Sequence, residues 1–101
     1  YSPTFDYVNI PKIEFFDSST DYYGVLSHEA AHWTGEKSRL NRFAADGGNS
    51  EFGSKSYSFE ELVAELTSAM MCNHLQIDNP KMDLNNAAYL KSWINVLKAD
   101  K

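Results

Sequence analysis

His28-Glu29-Ala30-Ala31-His32 lies in a run that reads as helix, and it decides how the rest of the chain is read. On an α-helix, residues four apart differ by roughly 40° in direction and about 6 Å in height. His28 and His32 therefore share a face, spaced to take two corners of a tetrahedral Zn²⁺. Glu29 is turned from His28 by roughly 100°, beside such an ion instead of on it. There its carboxylate can accept a proton from an activated water. Two imidazoles leave the ion one protein ligand short, so a third must come from elsewhere. The competing reading is a helix with two surface histidines and a surface glutamate, and context decides between them.

Signals on both sides delimit this helix. Asp17-Ser18-Ser19-Thr20 offers N-cap residues, and Gly35, just after Trp33-Thr34, is placed as a C′ residue. Tyr22, Leu26, Ala30 and Trp33 recur at helical spacing and are expected to form its buried stripe. Gly24 is a poor helix former, which fits either close approach of another backbone or simple tolerance.

Upstream, Phe5-Asp6-Tyr7-Val8-Asn9-Ile10 alternates with period two and predicts a short edge strand stopped by Pro11. One strand cannot stand alone, so its partners are expected before Tyr1. Downstream, Glu36 to Tyr57 is long, polar and Gly-containing, and partial mobility is expected there. A second helix is expected to open at Ser58 and run to about Leu75, its apolar face including Phe59, Leu62, Val63, Leu66, Ala69 and Met70. Asp78-Asn79-Pro80 breaks the chain. A third helix is expected from about Asn85 or Asn86 to Lys98, burying Leu90, Trp93, Ile94 and Leu97. The expected class is α+β, predominantly helical, with residues 1–101 forming one domain.

Composition narrows the functions. With 43% hydrophobic residues in 101, the chain can build one small core and is not globally disordered. No apolar run reaches membrane-spanning length, so no membrane is expected as a partner. The net charge is −5, which argues against nucleic-acid binding by a broad basic surface; Lys37-Ser38-Arg39-Leu40-Asn41-Arg42 is a local exception. Cys72 is the one cysteine, so a Cys-based zinc site and an internal disulfide are excluded, and it reads as a small core residue. A start at Tyr1 with no Met and no export signal reads as a fragment of a longer polypeptide, and a reducing compartment, the bacterial cytoplasm, is expected.

The third ligand must be His74, an Asp or a Glu. Glu61 and Glu65, four apart on the second helix, share a face, whereas Glu60 is turned away by roughly 100°. One of the pair can bind the metal while the other holds a ligand His by its second ring nitrogen. Glu61 has a competing role, because Ser58-x-x-Glu61 matches a capping box. Glu65 therefore stays open as the alternative ligand. His74 lies nearly four turns beyond Glu61 and reads as a surface residue.

Taken in order, several motifs resemble one family: Tyr22-Tyr23-x₄-His28-Glu29-x₂-His32-Trp33-Thr34-Gly35, Arg39-Leu40-x-Arg42, Phe52-Gly53-Ser54, Glu60-Glu61-Leu62-x-Ala64-Glu65, and Ala88-Tyr89-x₃-Trp93. It is the zincin-like metallopeptidase domain of ArdC-type antirestriction proteins and TraC-type primases of conjugative plasmids and mobile elements. The resemblance implies a zincin-like, gluzincin-type fold with an active-site helix, a ligand-bearing helix and a C-terminal helix. It implies one Zn²⁺ held by His28, His32 and Glu61, Glu29 as general base, and Glu65 behind the ligands. Family members often carry a separate N-terminal domain that binds single-stranded DNA; nothing in this chain corresponds to it.

Two functions follow as expectations. The first is a zinc-dependent peptidase acting on a peptide or protein, with Tyr57, Tyr89, Arg39 or Arg42 as candidate contacts to the oxyanion or substrate. The edge strand would bind an extended peptide by strand addition. The second is a catalytically silent, metal-stabilised fold that acts as a protein-interaction module in DNA protection.

Overall fold

The computed structural model is built on α1 (Ser19–Trp33), α2 (Lys55–His74) and α3 (Pro80–Ala99), with one 3₁₀ turn at Ile13–Phe15 before them. It describes the backbone of residues 1–43, 55–78 and 80–99, and their side chains except at 55–56, 80–86 and 89. The expected mobility of residues 44–54, and the Phe52-Gly53-Ser54 motif within them, lie outside the described residues.

Helix α1 begins where its cap predicts. Ser18 has extended backbone angles and its hydroxyl accepts from the Asp21 N–H at 3.2 Å, satisfying one of the free donors of the first turn. At the other end the Thr34 N–H is shared between the Ala30 and Ala31 carbonyls, and the Gly35 N–H reaches the His32 carbonyl at 2.9 Å, tightening the last turn. Gly35 is not the left-handed cap expected of it. Its smallness serves instead: a Cβ there would lie 2.6 Å from Phe43 Cζ and 3.1 Å from Arg42 Nη2. Residues 35–43 fold back against the helix end, held by Leu40 N–H to the Thr34 carbonyl and Arg42 N–H to the Gly35 carbonyl, each 2.9 Å. Asn41 makes the turn at φ 55°, a left-handed conformation that Asn tolerates.

Helix α2 lies between α1 and α3 and packs on both. Ser68 meets Gly24, His28 meets Glu61 and Glu65, and His32 meets Glu60 and Glu61. Numbers fall along α2 as they rise along α1, so the two helices run antiparallel. The hidden positions at this crossing are small or polar: Gly24 and Ala31 on α1, and Ser58, Ala64, Glu65 and Ser68 on α2. Ser68 Oγ donates to the Gly24 carbonyl at 2.9 Å. Gly24 is thus buried where the Ser68 side chain of the partner helix reaches its carbonyl.

This contact corrects the expected stripe of α1. Ala30 is exposed and Trp33 is 41% exposed, while Tyr22 and Leu26 are half-buried. The face that meets α2, carrying Gly24, His28, Ala31 and His32, lies nearly opposite the predicted one. The reason is that α2 offers small and charged groups here, not an apolar wall. Trp33 is covered instead by the Arg39 guanidinium, 3.8 Å from the ring centroid.

Helix α2 starts at Lys55, one turn before the expected Ser58. Ser58 is then a fully buried residue inside the helix and not its cap, so the capping box does not form and Glu61 is free for other partners. Helix α3 starts at Pro80, where a missing N–H costs nothing in a first turn, and so also opens earlier than expected. Its Leu90, Trp93 and Leu97 are half-buried, whereas Ile94 is 41% exposed. Trp93 meets Tyr57 edge-on, with centroids 5.6 Å apart, so the second half of α3 lies by the start of α2 in an antiparallel hairpin.

The predicted edge strand is absent among the described residues. Ser2 and Tyr7 form an isolated antiparallel bridge that closes a tight turn, with Asp6 at φ 55°, and residues 8–10 pair with no neighbouring strand. An alternating pattern needs a second strand to pair with, and none stands beside it here. The predominantly helical class holds. Asp6 is instead ion-paired with Arg39, which ties the N-terminal turn to the end of α1.

Ala64 is fully buried at the α1–α2 contact. Ala64→Leu is expected to overpack it and lower stability by about 1–3 kcal/mol. A urea melt that leaves the midpoint unchanged would show that the helices do not depend on close approach.

Candidate metal centre

The antiparallel crossing sets a pair of imidazoles one turn apart on α1 against a run of acids on α2. His28 Nε2 lies 3.2 Å from His32 Nε2, and 3.4 Å from Glu61 Oε2. His32 Nε2 lies 3.2 Å from Glu61 Oε1. Donors at about 2.0–2.1 Å from a tetrahedral ion must stand roughly 3.3 Å from one another. The two Nε2 atoms meet that spacing with each other and each with one oxygen of the Glu61 carboxylate, and two imidazoles and a carboxylate are a donor set that suits zinc.

Behind each imidazole stands another carboxylate. His28 Nδ1 is 2.9 Å from Glu65 Oε1, and His32 Nδ1 is 3.3 Å from Glu60 Oε1. Such a partner keeps the proton on Nδ1 and turns the Nε2 lone pair toward the shared centre. Glu60 is in turn gripped by Arg42, with Nε to Oε2 at 3.1 Å and Nη2 to Oε1 at 2.7 Å. Among the described residues, no buried side-chain polar atom lacks a partner.

The electrostatics favour a cation at this point. Burial opposes a charge on His28, but hydrogen bonds to Glu61 and Glu65 outweigh it and lift its pKa from 6.5 to about 9. Burial likewise works against His32, and Glu60 and Glu61 overcome it, so its pKa is also raised. Burial would raise Glu61, yet its bonds to the two histidines bring it from 4.5 down to about 2. Glu60 is lowered in the same way, against its burial, by His32 and Arg42. A site that holds protons this firmly presents the negative potential that a divalent ion would also feel.

A cavity of about 330 Å³ adjoins the cluster, lined by His32, Glu60 and Glu61, by Glu29, and by the aromatic rings of Tyr1, Phe43 and Tyr57 together with Pro3. Glu29 thus shares a chamber with two of the three donors. Tyr57 reaches the cluster: burial, then the charge of Glu61 and a hydrogen bond to it, raise the phenol above its usual pKa. The two arginines do not line this cavity. Arg39 is committed to Asp6, the Trp33 carbonyl and the Trp33 ring. Arg42 is committed to Glu60, Thr34 and Ala31. The Tyr89 side chain lies outside the described residues. His74 ends α2 in an exposed position.

Sequence reasoning passed over Glu60 because it is turned roughly 100° from Glu61. That rotation is what carries it to the outer nitrogen of His32. The usable signal was present: two ligand imidazoles have two outer nitrogens, each of which calls for an acceptor.

A model of the zincin-like metallopeptidase family matches residues 1–101. The chain is 37% identical over 101 residues to the protein y4eC of Sinorhizobium fredii, covering all of this chain and 31% of that one. It is 39% identical over 100 residues to a DNA primase TraC of Escherichia coli, covering 99% of this chain and 9% of the primase. A crystal structure of the plasmid antirestriction protein ArdC, in its metal-free form, superposes with a TM-score of 0.68 at 45% identity, covering 99% of this chain and 34% of ArdC. The chain thus spans about a third or less of the length of each of these relatives. With the match running the full length of the sequence, the chain belongs to the zincin-like metallopeptidase family.

Proposed function

We propose that this chain is the zinc-dependent hydrolytic centre of an antirestriction or mobile-element protein, cleaving a peptide bond in a protein substrate. His28, His32 and Glu61 are the metal ligands in this reading, Glu65 and Glu60 orient the two histidines, and Glu29 is the general base. The observation that carries it is the cluster in which the two Nε2 atoms stand 3.2 Å apart and each lies 3.2–3.4 Å from one of the two Glu61 oxygens, beside a cavity that Glu29 also lines. Its similarity to a plasmid antirestriction protein and to a DNA primase supports the biological setting. Among the described residues no helix is long and apolar enough to cross a membrane, and on this reading the domain works in the bacterial cytoplasm.

A bound zinc ion would supply Lewis acidity, bringing the pKa of water to about 7 and polarising a carbonyl. The remaining work falls to side chains. Glu29 takes the proton as water attacks the peptide carbonyl carbon, and returns it to the amine that leaves. Tyr57, its phenol kept protonated by burial and by the charge of Glu61, offers a hydroxyl in the same cavity to the oxygen that gains charge. Arg39 and Arg42, held elsewhere, take no part in this step.

Glu29→Gln keeps the shape of the site and removes its base. Cleavage by the zinc-loaded protein is expected to fall by about a hundredfold or more. Zinc content by elemental analysis and the circular dichroism spectrum should both be retained. Full activity in this variant would remove the hydrolytic assignment. Loss of cleavage with protection of mobile-element DNA intact would favour the interaction-module reading over it.

Acidity gives a second test, on protein freed of metal with a chelator. A raised His28 contributes stability fully below its unfolded pKa of 6.5, and the contribution is lost as pH rises through about 9. A lowered Glu61 contributes fully above 4.5, and that contribution is lost as pH falls through about 2. Both act together between 4.5 and 6.5, so the chelated protein should melt highest there and progressively lower toward pH 9. Zinc must displace the imidazole protons, so the gain in Tm on adding zinc should grow over the interval from 6.5 to 9. A zinc-induced gain that stays flat across that interval would contradict the ligand assignment.

A further inference from the structure

Arg42 makes four hydrogen bonds that no part of the proposed chemistry uses. Its guanidinium takes both oxygens of Glu60, at 2.7 and 3.1 Å. It also donates to Thr34 Oγ1 at 2.8 Å and to the Ala31 carbonyl at 2.7 Å. Ala31 lies one residue before His32, and its carbonyl, in the last turn of α1, also accepts from the Thr34 N–H and hydroxyl. One planar cation therefore fastens the end of the helix that carries His32 to the carboxylate behind His32.

We propose that Arg42 is a positioning residue for the metal centre, acting through Glu60 on the His32 ring. This rests on the reading of His28, His32 and Glu61 as ligands. A carboxylate behind a ligand imidazole fixes the ring only if it is itself fixed, and among the described residues Arg42 is the charged partner of Glu60 besides His32. The bidentate grip sets the plane of the Glu60 carboxylate, and the two bonds to α1 set its distance from the helix. Glu65 has no such clamp among the described contacts, and its helix packing, at 8% exposure, does that work for His28. Gly35 belongs to the same device. It lets the chain fold back so that Arg42 and Phe43 pass within about 3 Å of its Cα substituent position. A lysine in place of Arg42 would bring one ammonium to a place that needs a planar fork.

The test is metal affinity, read by competition with a chromophoric chelator, together with the visible spectrum of the cobalt-substituted protein. Arg42→Ala and the isosteric Glu60→Gln should each weaken zinc binding by about tenfold to a hundredfold and alter the cobalt bands. Arg42→Lys should stay weak. The double variant should be no weaker than its weaker parent by more than about threefold, because both changes break one line of contacts. Wild-type affinity and spectrum in Arg42→Ala, even with a lowered Tm, would overturn the proposal, and so would losses that multiply in the double variant. His32→Ala separates this from the reading beneath it. Full zinc affinity in His32→Ala would remove the ligand assignment and the brace together. Lost affinity there, with wild-type affinity in Arg42→Ala, would remove the brace alone.

Discussion

Close contact between two antiparallel helices, made at glycine, alanine and serine, is the constraint on which everything else depends. Gly24 and Ala31 on α1 face Ala64 and Ser68 on α2. Imidazole and carboxylate side chains are short, so they meet only if the backbones that carry them come near. Larger apolar residues at these positions would hold the helices apart and leave the histidines facing water. The seam has given up hydrophobic packing for proximity.

The consequence for stability is direct. Among the described residues, the buried hydrophobic side chains are Ala31 and Ala64, while Phe5, Phe15 and Met70 are each at least 70% exposed. Between α1 and α2 the described contacts include charged hydrogen bonds among His28, His32, Glu60, Glu61 and Glu65, with Arg42 bound to Glu60. Charge-assisted bonds of this kind are stronger than neutral ones, but each buried partner depends on the others staying paired. The site therefore lies in the same helix crossing as the buried Ala31 and Ala64. A cation at the centre would act on the fold as well as on any substrate, as expected of a small domain with a thin apolar core.

The sequence made some of this plain and hid the rest for physical reasons. The i, i+4 spacing of His28 and His32 was legible because helical geometry alone fixes it, and Ser18 was legible because a cap is a local interaction. The start of α2 was not, because Ser58-x-x-Glu61 has the right letters for a cap while burial and tertiary contact place Ser58 inside the helix. The stripe of α1 misled because apolar periodicity assumes an apolar partner, and α2 presents small and acidic groups. Gly35 was noticed for the left-handed freedom that ends helices, whereas its value is the space it leaves for Phe43 and Arg42. The strand failed because pairing is not a property of one segment.

Glu60 carries the more general point. A helix that must serve two imidazoles has three separate places to satisfy: the shared centre, and the outer nitrogen of each ring. Glu61 stands at the centre, within 3.2–3.4 Å of both Nε2 atoms. Glu65, one turn further along α2, meets His28, the histidine earlier on an antiparallel α1. Glu60, one residue before Glu61, is swung toward the later histidine, His32. An acid on the same face as Glu61 could not reach that far side; only a neighbour turned by roughly 100° can. Ala64, which precedes Glu65 as Glu60 precedes Glu61, must be small because it sits where the helices touch. The spacing Glu60-Glu61-x₃-Glu65 is thus what an antiparallel crossing demands of a helix that holds an H-E-x-x-H pair from behind as well as from the front.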